Sequence, residues 1–217
     1  MTTVVQGFGP FGGFAANPSE LLVRALTARG GTEVVTEVLP VSAGRVAAAV
    51  PDLMGQHRPD LWLGVGLAAG RPALSLEAVA VNLAHWTDAD ADAEGVSISR
   101  QPIAGRGPAA YLTTLPVEQI LAGWRAAGIP GYLSQSAGSY LCNFSFYCAA
   151  RAAQDLGVTC RVGFLHVPLL PDLVTEPERQ PSMAMALQAA GLDVVLTAGQ
   201  EAVDGGGLYL DERLRSG

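Results

Sequence analysis

One thiol, one imidazole and one carboxylate stand out by where they sit in the chain. Cys142 ends the turn-rich run Ser136-Ala-Gly-Ser-Tyr-Leu-Cys142 and opens the clearest helical pattern, Cys142–Leu156, with Gly157 as its stop. A thiolate at a helix N-terminus faces the positive end of the helix dipole, which favours the nucleophilic form. Position alone also fits a small buried hydrophobe, the usual fate of a free cysteine. His166 lies in the apolar strand GFLHVPLLP, which Pro168 and Pro171 bring to an end close to the histidine. In open α/β sheets ligands gather at the carboxyl ends of strands, and a thiol nucleophile needs an imidazole to share its proton. The competing reading is a hydrogen-bonded core histidine. Glu77 is set into GRPALSLEAVAVN. A carboxylate in such a run is either paired, for example by orienting an imidazole, or points to solvent from the outer face of a strand.

Other groups with chemical potential are weaker. His57 stands in a polar run and His85 beside Trp86, while Cys148 lies mid-helix and Cys160 at a strand edge, both read as structural. Gly7-Phe-Gly9-Pro-Phe-Gly12 matches a dinucleotide fingerprint in form, but Pro10 and two phenylalanines crowd the place where backbone must approach a pyrophosphate. Asp88, Asp90 and Asp92 imitate the start of a calcium loop, yet Ala93 replaces the required glycine and Ser99 the closing glutamate. No paired His/Cys spacing suggests zinc, and no cofactor or metal is expected. All 13 basic residues are arginine, so lysine chemistry such as a Schiff base or a P-loop lysine is excluded. A net charge of −7 disfavours nucleic acid and anionic membranes as partners.

The elements that must position these groups follow an α/β rhythm, with a mixed, mostly parallel twisted sheet flanked by helices as the expected fold. Strands are predicted at Thr3–Gln6, Glu33–Leu39, Asp60–Val65 and Arg161–Val167. Helices are predicted at Pro18–Arg29, opened by Asn17 and closed by Gly30 and Gly31, and at Gly44–Gln56, Val117–Ala127 and Pro181–Ala190. At 217 residues the chain fits one domain. The segment 88–100 reads as a surface loop and 200–217 as a loosely held tail. The N-terminus lacks a secretory pattern, no apolar run is long enough to span a membrane, and an odd cysteine count argues against a disulfide framework. A cytoplasmic location is therefore expected.

Four blocks together resemble the pyroglutamyl peptidase I (pyrrolidone-carboxylate peptidase) family of cysteine peptidases. They are GFGPFGGFAANPS, GRPALSLEAVAVN, LTTLPVEQI followed by GIPGYLSQSAGSYLCNFSFY, and GFLHVPLLP, in the order Glu, Cys, His, spanning about residues 4–190. The resemblance implies removal of an N-terminal 5-oxoproline from peptides, with Cys142 as nucleophile, His166 as proton carrier and Glu77 orienting the imidazole. It implies a pocket for the flat, uncharged lactam ring from Phe8, Phe11 and Phe14, with Tyr140 and Leu141 beside the nucleophile. From residue type alone, Phe8 and Phe11 are equally read as core packing under a loop. The family habit, with only 15% charged residues, also suggests a homo-oligomer, dimer or tetramer.

Two positions depart from the family pattern. Leu67, in GLAAGR, stands where the family usually has Gln, and Thr87 where it has an Arg that the resemblance places at the oxyanion. Either another group substitutes, such as a backbone amide beside Cys142 or His85, or activity is reduced. Altered N-terminal specificity and a catalytically weak pyroglutamyl-peptide binder are the two other readings these positions leave open.

Overall fold

The structure, a computed structural model, describes residues 1–30 and 33–204. Its frame is a six-stranded sheet in the order β2-β1-β3-β10-β4-β9, formed by β1 (Thr3–Phe8), β2 (Val34–Leu39), β3 (Leu61–Leu67), β4 (Leu74–Glu77), β9 (Gly131–Ser134) and β10 (Arg161–Val167). The first three strands and β10 run parallel. β4 pairs antiparallel to β10, and β9 runs parallel to β4. The central strands carry buried side chains on both faces, which is why β3 and β10 read as continuous apolar runs. Two short antiparallel pairs stand apart, β5 (Val79–Val81) with β8 (Ala110–Leu112) and β6 (Ala84–Trp86) with β7 (Ile98–Gln101).

Helices cover both faces. α2 (Ala43–His57) and α4 (Leu141–Asp155) pack on one core around Trp62, Phe146, Tyr147 and Phe164. α1 (Pro18–Arg29), α3 (Val117–Ala126) and α5 (Met185–Asp204) belong to the other, around Leu63, Leu74, Trp124 and Val195. Asn17 caps α1 as expected, its side chain accepting from the Ser19 amide, and Gly30 ends it; Gly31 lies outside the described residues.

Two expectations need correction. The last helix does not span Pro181–Ala190. Pro181 to Met183 are extended, with Ser182 bridging Leu169, and α5 instead runs Met185–Asp204. Its glycines are approach points rather than stops: a β-carbon on Gly191 would collide with Leu74 and one on Gly199 with Leu61. Of the expected tail, residues 200–204 are helical and 205–217 lie outside the described residues. The segment 88–100 is only in part a surface loop. β7 claims its end, and Asp92 is buried, accepting the amides of Ala43, Glu94 and Val96. Burial raises the Asp92 pKa, but these three donors outweigh it and hold the carboxyl below its usual range.

Candidate active site

One row of positions across three strands builds the site. His166 on β10 pairs with Gly66 on β3 and with Ser75 on β4. Paired residues share a face, and so do positions two apart on a strand, so Glu77 lies diagonal to His166. His166 Nδ1 and Glu77 Oε1 are 2.7 Å apart, with His166 5% and Glu77 0% exposed. That contact fixes the tautomer: Nδ1–H donates to the carboxylate, leaving Nε2 for another partner. The fourth position in the row, Gly66, has no side chain because a sulfur fills the space. A β-carbon there would lie 2.7 Å from Cys142 Sγ.

Cys142 is brought over that gap by α4, whose N-terminus is bolted down on two sides. The Asn143 side chain accepts from the Val81 amide at 2.8 Å and donates to the Val81 and Leu83 carbonyls at 2.9 and 3.0 Å. One turn along, the Ser145 hydroxyl donates to Gln6 Oε1 at 2.7 Å, tying the helix to β1. The N-cap residue Tyr140 makes no side-chain hydrogen bond to the first turn. Backbone amides at that helix end, including that of Cys142, stay open to a ligand.

Charge is distributed unevenly over this cluster. Burial would lower the His166 pKa, but the neighbouring Cys142 sulfur and the Glu77 carboxylate outweigh it and push it up to about 9. Burial raises that of Glu77, yet His166, Ser134 and Arg71 more than compensate and hold the carboxyl below its usual value. The imidazole is thus charged and the carboxylate ionised at neutral pH. Cys148 and Cys160 differ: burial pushes each thiol up to about 12, in keeping with structural roles.

A cavity of about 530 Å³ opens beside Cys142. Phe8, Phe11, Phe14, Leu67, His85, Thr87, Tyr140 and Leu141 all line it. Phe8 is only 2% exposed, so it serves the core as well as the wall. The loop carrying Phe11 and Phe14 is held by Asn17, whose amide donates to the Gly9 carbonyl. Trp86, which the sequence reading passed over, joins the wall edge-on to Tyr140 at 5.1 Å, and Tyr140 faces Phe11 at 5.6 Å. A lone Trp between two chemically plausible neighbours was the available signal. Thr87 is exposed and contacts Asp90 through its hydroxyl at 3.4 Å. The backbone amide of His85 is already committed to the Ser139 carbonyl. Among the described residues no cluster of three or more His, Cys, Asp or Glu is placed to hold a metal.

Arg71 was also missed. Its guanidinium reaches Glu77 Oε1 at 2.5 Å, Ser134 Oγ at 3.3 Å and the Ser136 carbonyl at 3.1 Å.

A family model described as pyroglutamyl peptidase matches residues 1–202. The chain belongs to the pyroglutamyl peptidase family. It is 38% identical over 201 residues to pyrrolidone-carboxylate peptidase 1 of Ralstonia nicotianae, covering 90% of this chain and 91% of the relative. To the pyrrolidone-carboxylate peptidase of Pyrococcus furiosus it is 36% identical over 208 residues, covering 93% and 99%. Among solved structures, pyrrolidone carboxyl peptidase from Thermococcus litoralis superposes with a TM-score of 0.88 at 28% identity, covering 95% of this chain and 97% of that one.

Proposed function

We propose that this member of the pyroglutamyl peptidase family removes N-terminal pyroglutamate from peptides, with Cys142, His166 and Glu77 as its catalytic triad. The single observation that carries the assignment is the buried His166–Glu77 contact of 2.7 Å set beside the Cys142 sulfur. The thiolate attacks the carbonyl joining the lactam residue to the next amino acid. His166, through Nε2, delivers its proton to the departing amine as the C–N bond breaks, leaving a thioester. Water, activated by the now neutral imidazole, hydrolyses that thioester and releases pyroglutamate. Glu77 holds the ring and supports its charge.

The oxyanion donor in this reading is the open backbone amide of Cys142, which takes the place of the Arg absent at Thr87. The aromatic wall of Phe11, Trp86 and Tyr140 suits a flat, uncharged ring. Family membership favours this reading over altered specificity or simple binding.

We read the chain as one pyroglutamyl peptidase-like domain in the cytoplasm. Its three free cysteines support the location, and no helix among the described residues is long and apolar enough to cross a membrane. Homo-oligomerisation, as a dimer or tetramer, is supported by solvent-facing Leu112, Tyr132 and Leu156 and is tested by light scattering.

The deciding experiment is hydrolysis of a pyroglutamyl fluorogenic amide by wild type, by Cys142→Ala and by iodoacetamide-treated protein. Turnover lost in both controls supports the proposal. A folded wild type without turnover between pH 6 and 9 overturns it.

A further inference from the structure

Glu77 is fully buried, and its Oε2 has no hydrogen-bond partner among the described residues. Two donors that can carry charge converge on Oε1: the His166 ring at 2.7 Å and Arg71 Nη1 at 2.5 Å. A buried carboxylate is costly unless paired, and an imidazole is an unreliable partner because its charge comes and goes during proton transfer. A guanidinium keeps its charge at every working pH. Arg71 is itself held in place, by Ser134 Oγ on the strand next to β4 and by the Ser136 carbonyl in the run leading to Cys142. It touches both the carboxylate and the segment that carries the nucleophile.

We propose that Arg71 is a positioning residue for this site, fixing Glu77 as an anion and completing a four-member cluster with no net charge. The inference rests on the triad reading above. Before attack the cluster holds thiolate, imidazolium, carboxylate and guanidinium. After the proton has gone to the leaving amine it holds a neutral thioester, a neutral imidazole, carboxylate and guanidinium. With Arg71 the cluster's charge cancels in both states; without it, both states carry one uncompensated negative charge around the buried Glu77. The titratable group facing Glu77 besides Arg71 is His166 from β10, and His166 in turn faces Cys142 from α4. Ser134 and Ser136 contribute only neutral contacts.

Arg71→Met and Arg71→Lys test this, read by the pH dependence of kcat/KM on a pyroglutamyl fluorogenic amide. In the same samples, the pH dependence of Cys142 alkylation by iodoacetamide follows the thiolate without turnover. Removing a cation at contact distance should move both limbs of the methionine variant's profile upward by about one pH unit. The acid limb rises because the Glu77 carboxylate loses a stabilising charge, the alkaline limb because His166 then faces an undivided carboxylate. The loss should fall on kcat rather than KM, since Arg71 lies behind the triad and does not line the cavity. Arg71→Lys should keep the acid limb in place. A folded methionine variant whose limbs and alkylation profile do not move overturns the proposal. If that variant fails to fold, lysine decides: a retained acid limb supports the proposal and a displaced one overturns it. Wild-type turnover with unmoved limbs would sink the Arg71 role and leave the peptidase assignment standing. Shifted alkylation profiles without any wild-type turnover would do the reverse.

Discussion

Gly66 sits opposite His166 in the β3–β10 register, with the Cys142 sulfur over it and the Phe164 ring beside it. Replacing it by alanine puts a methyl group 2.7 Å from Sγ and 3.0–3.1 Å from the ring. Ordinary contact between such atoms needs roughly 3.5 Å or more, so the sulfur must retreat by about 1 Å. The alternative is to move Phe164, which packs at 6.2 Å on Phe146 and 5.0 Å on His166 in the core. Displacement of a reacting atom by about 1 Å costs roughly 10²-fold, or about 2.7 kcal/mol of transition-state stabilisation. The overpacking penalty on stability is about 1–3 kcal/mol, which a chain of this size registers as a Tm fall of a few degrees. Gly66→Ala should therefore remain folded while kcat/KM on the pyroglutamyl amide drops about 10²-fold. Steady-state kinetics and a thermal melt on the same preparation separate the two effects. A folded variant with wild-type kcat/KM would refute the placement of the sulfur above Gly66.

Glu77→Gln keeps the shape of the orienting group but removes its charge, so kcat should fall by about 10²–10⁴-fold while the melt shows a folded protein. Asn143→Ala strips three hydrogen bonds from the junction of α4 and β5; a loss of about 3 kcal/mol and a Tm lower by about 6–12 °C are expected in calorimetry. The pH dependence of stability has two edges. Glu77, with its pKa lowered, contributes stability that is present above the ordinary carboxylate value of 4.5 and lost as pH falls through its folded value. His166, raised to about 9 from 6.5, contributes stability that is full below 6.5 and gone once pH has risen past about 9. Denaturant melts across pH 3 to 10 should show both edges, and His166→Ala should lack the alkaline one. Cys148→Ser and Cys160→Ser should each leave the Cys142 alkylation rate at pH 7 unchanged, as read by mass spectrometry.

The helices that end in strong local signals were legible from sequence. Asn17 and Gly30 bound α1, and Gly157 stops α4, because caps and left-handed glycines act within one turn of chain. The bounds of α5 were not legible, because the fold uses the missing side chains of Gly191 and Gly199 to lay the helix on Leu74 and Leu61, far away in sequence. The short strands β5 to β8 gave no usable period, since three or four residues cannot display one. His166 and Glu77 stood out as polar groups set into apolar runs, and Cys142 as a thiol that follows a turn-rich run at the start of a helix. Arg71 did not: an arginine in a Gly/Pro turn is unremarkable until Ser134 and Ser136, more than sixty residues away, close around it. The reversed polarity of β4 relative to β10 is equally a property of the assembled sheet and of no local pattern.

The strand order has a consequence for how the protein comes into being. Among the described residues β10 is the last strand made, yet it occupies the middle of the sheet, between β3 and β4. Until residues Arg161–Val167 emerge and insert, the halves carrying β1–β3 and β4–β9 have no strand joining them, and each exposes an open edge. The same strand carries His166, so the imidazole reaches Cys142 only at the step that closes the sheet. Only the short stretch from Cys142 to His166 is made with the sulfur present and the imidazole still absent. The strand that closes the sheet is thus also the strand that sets the imidazole beside the sulfur.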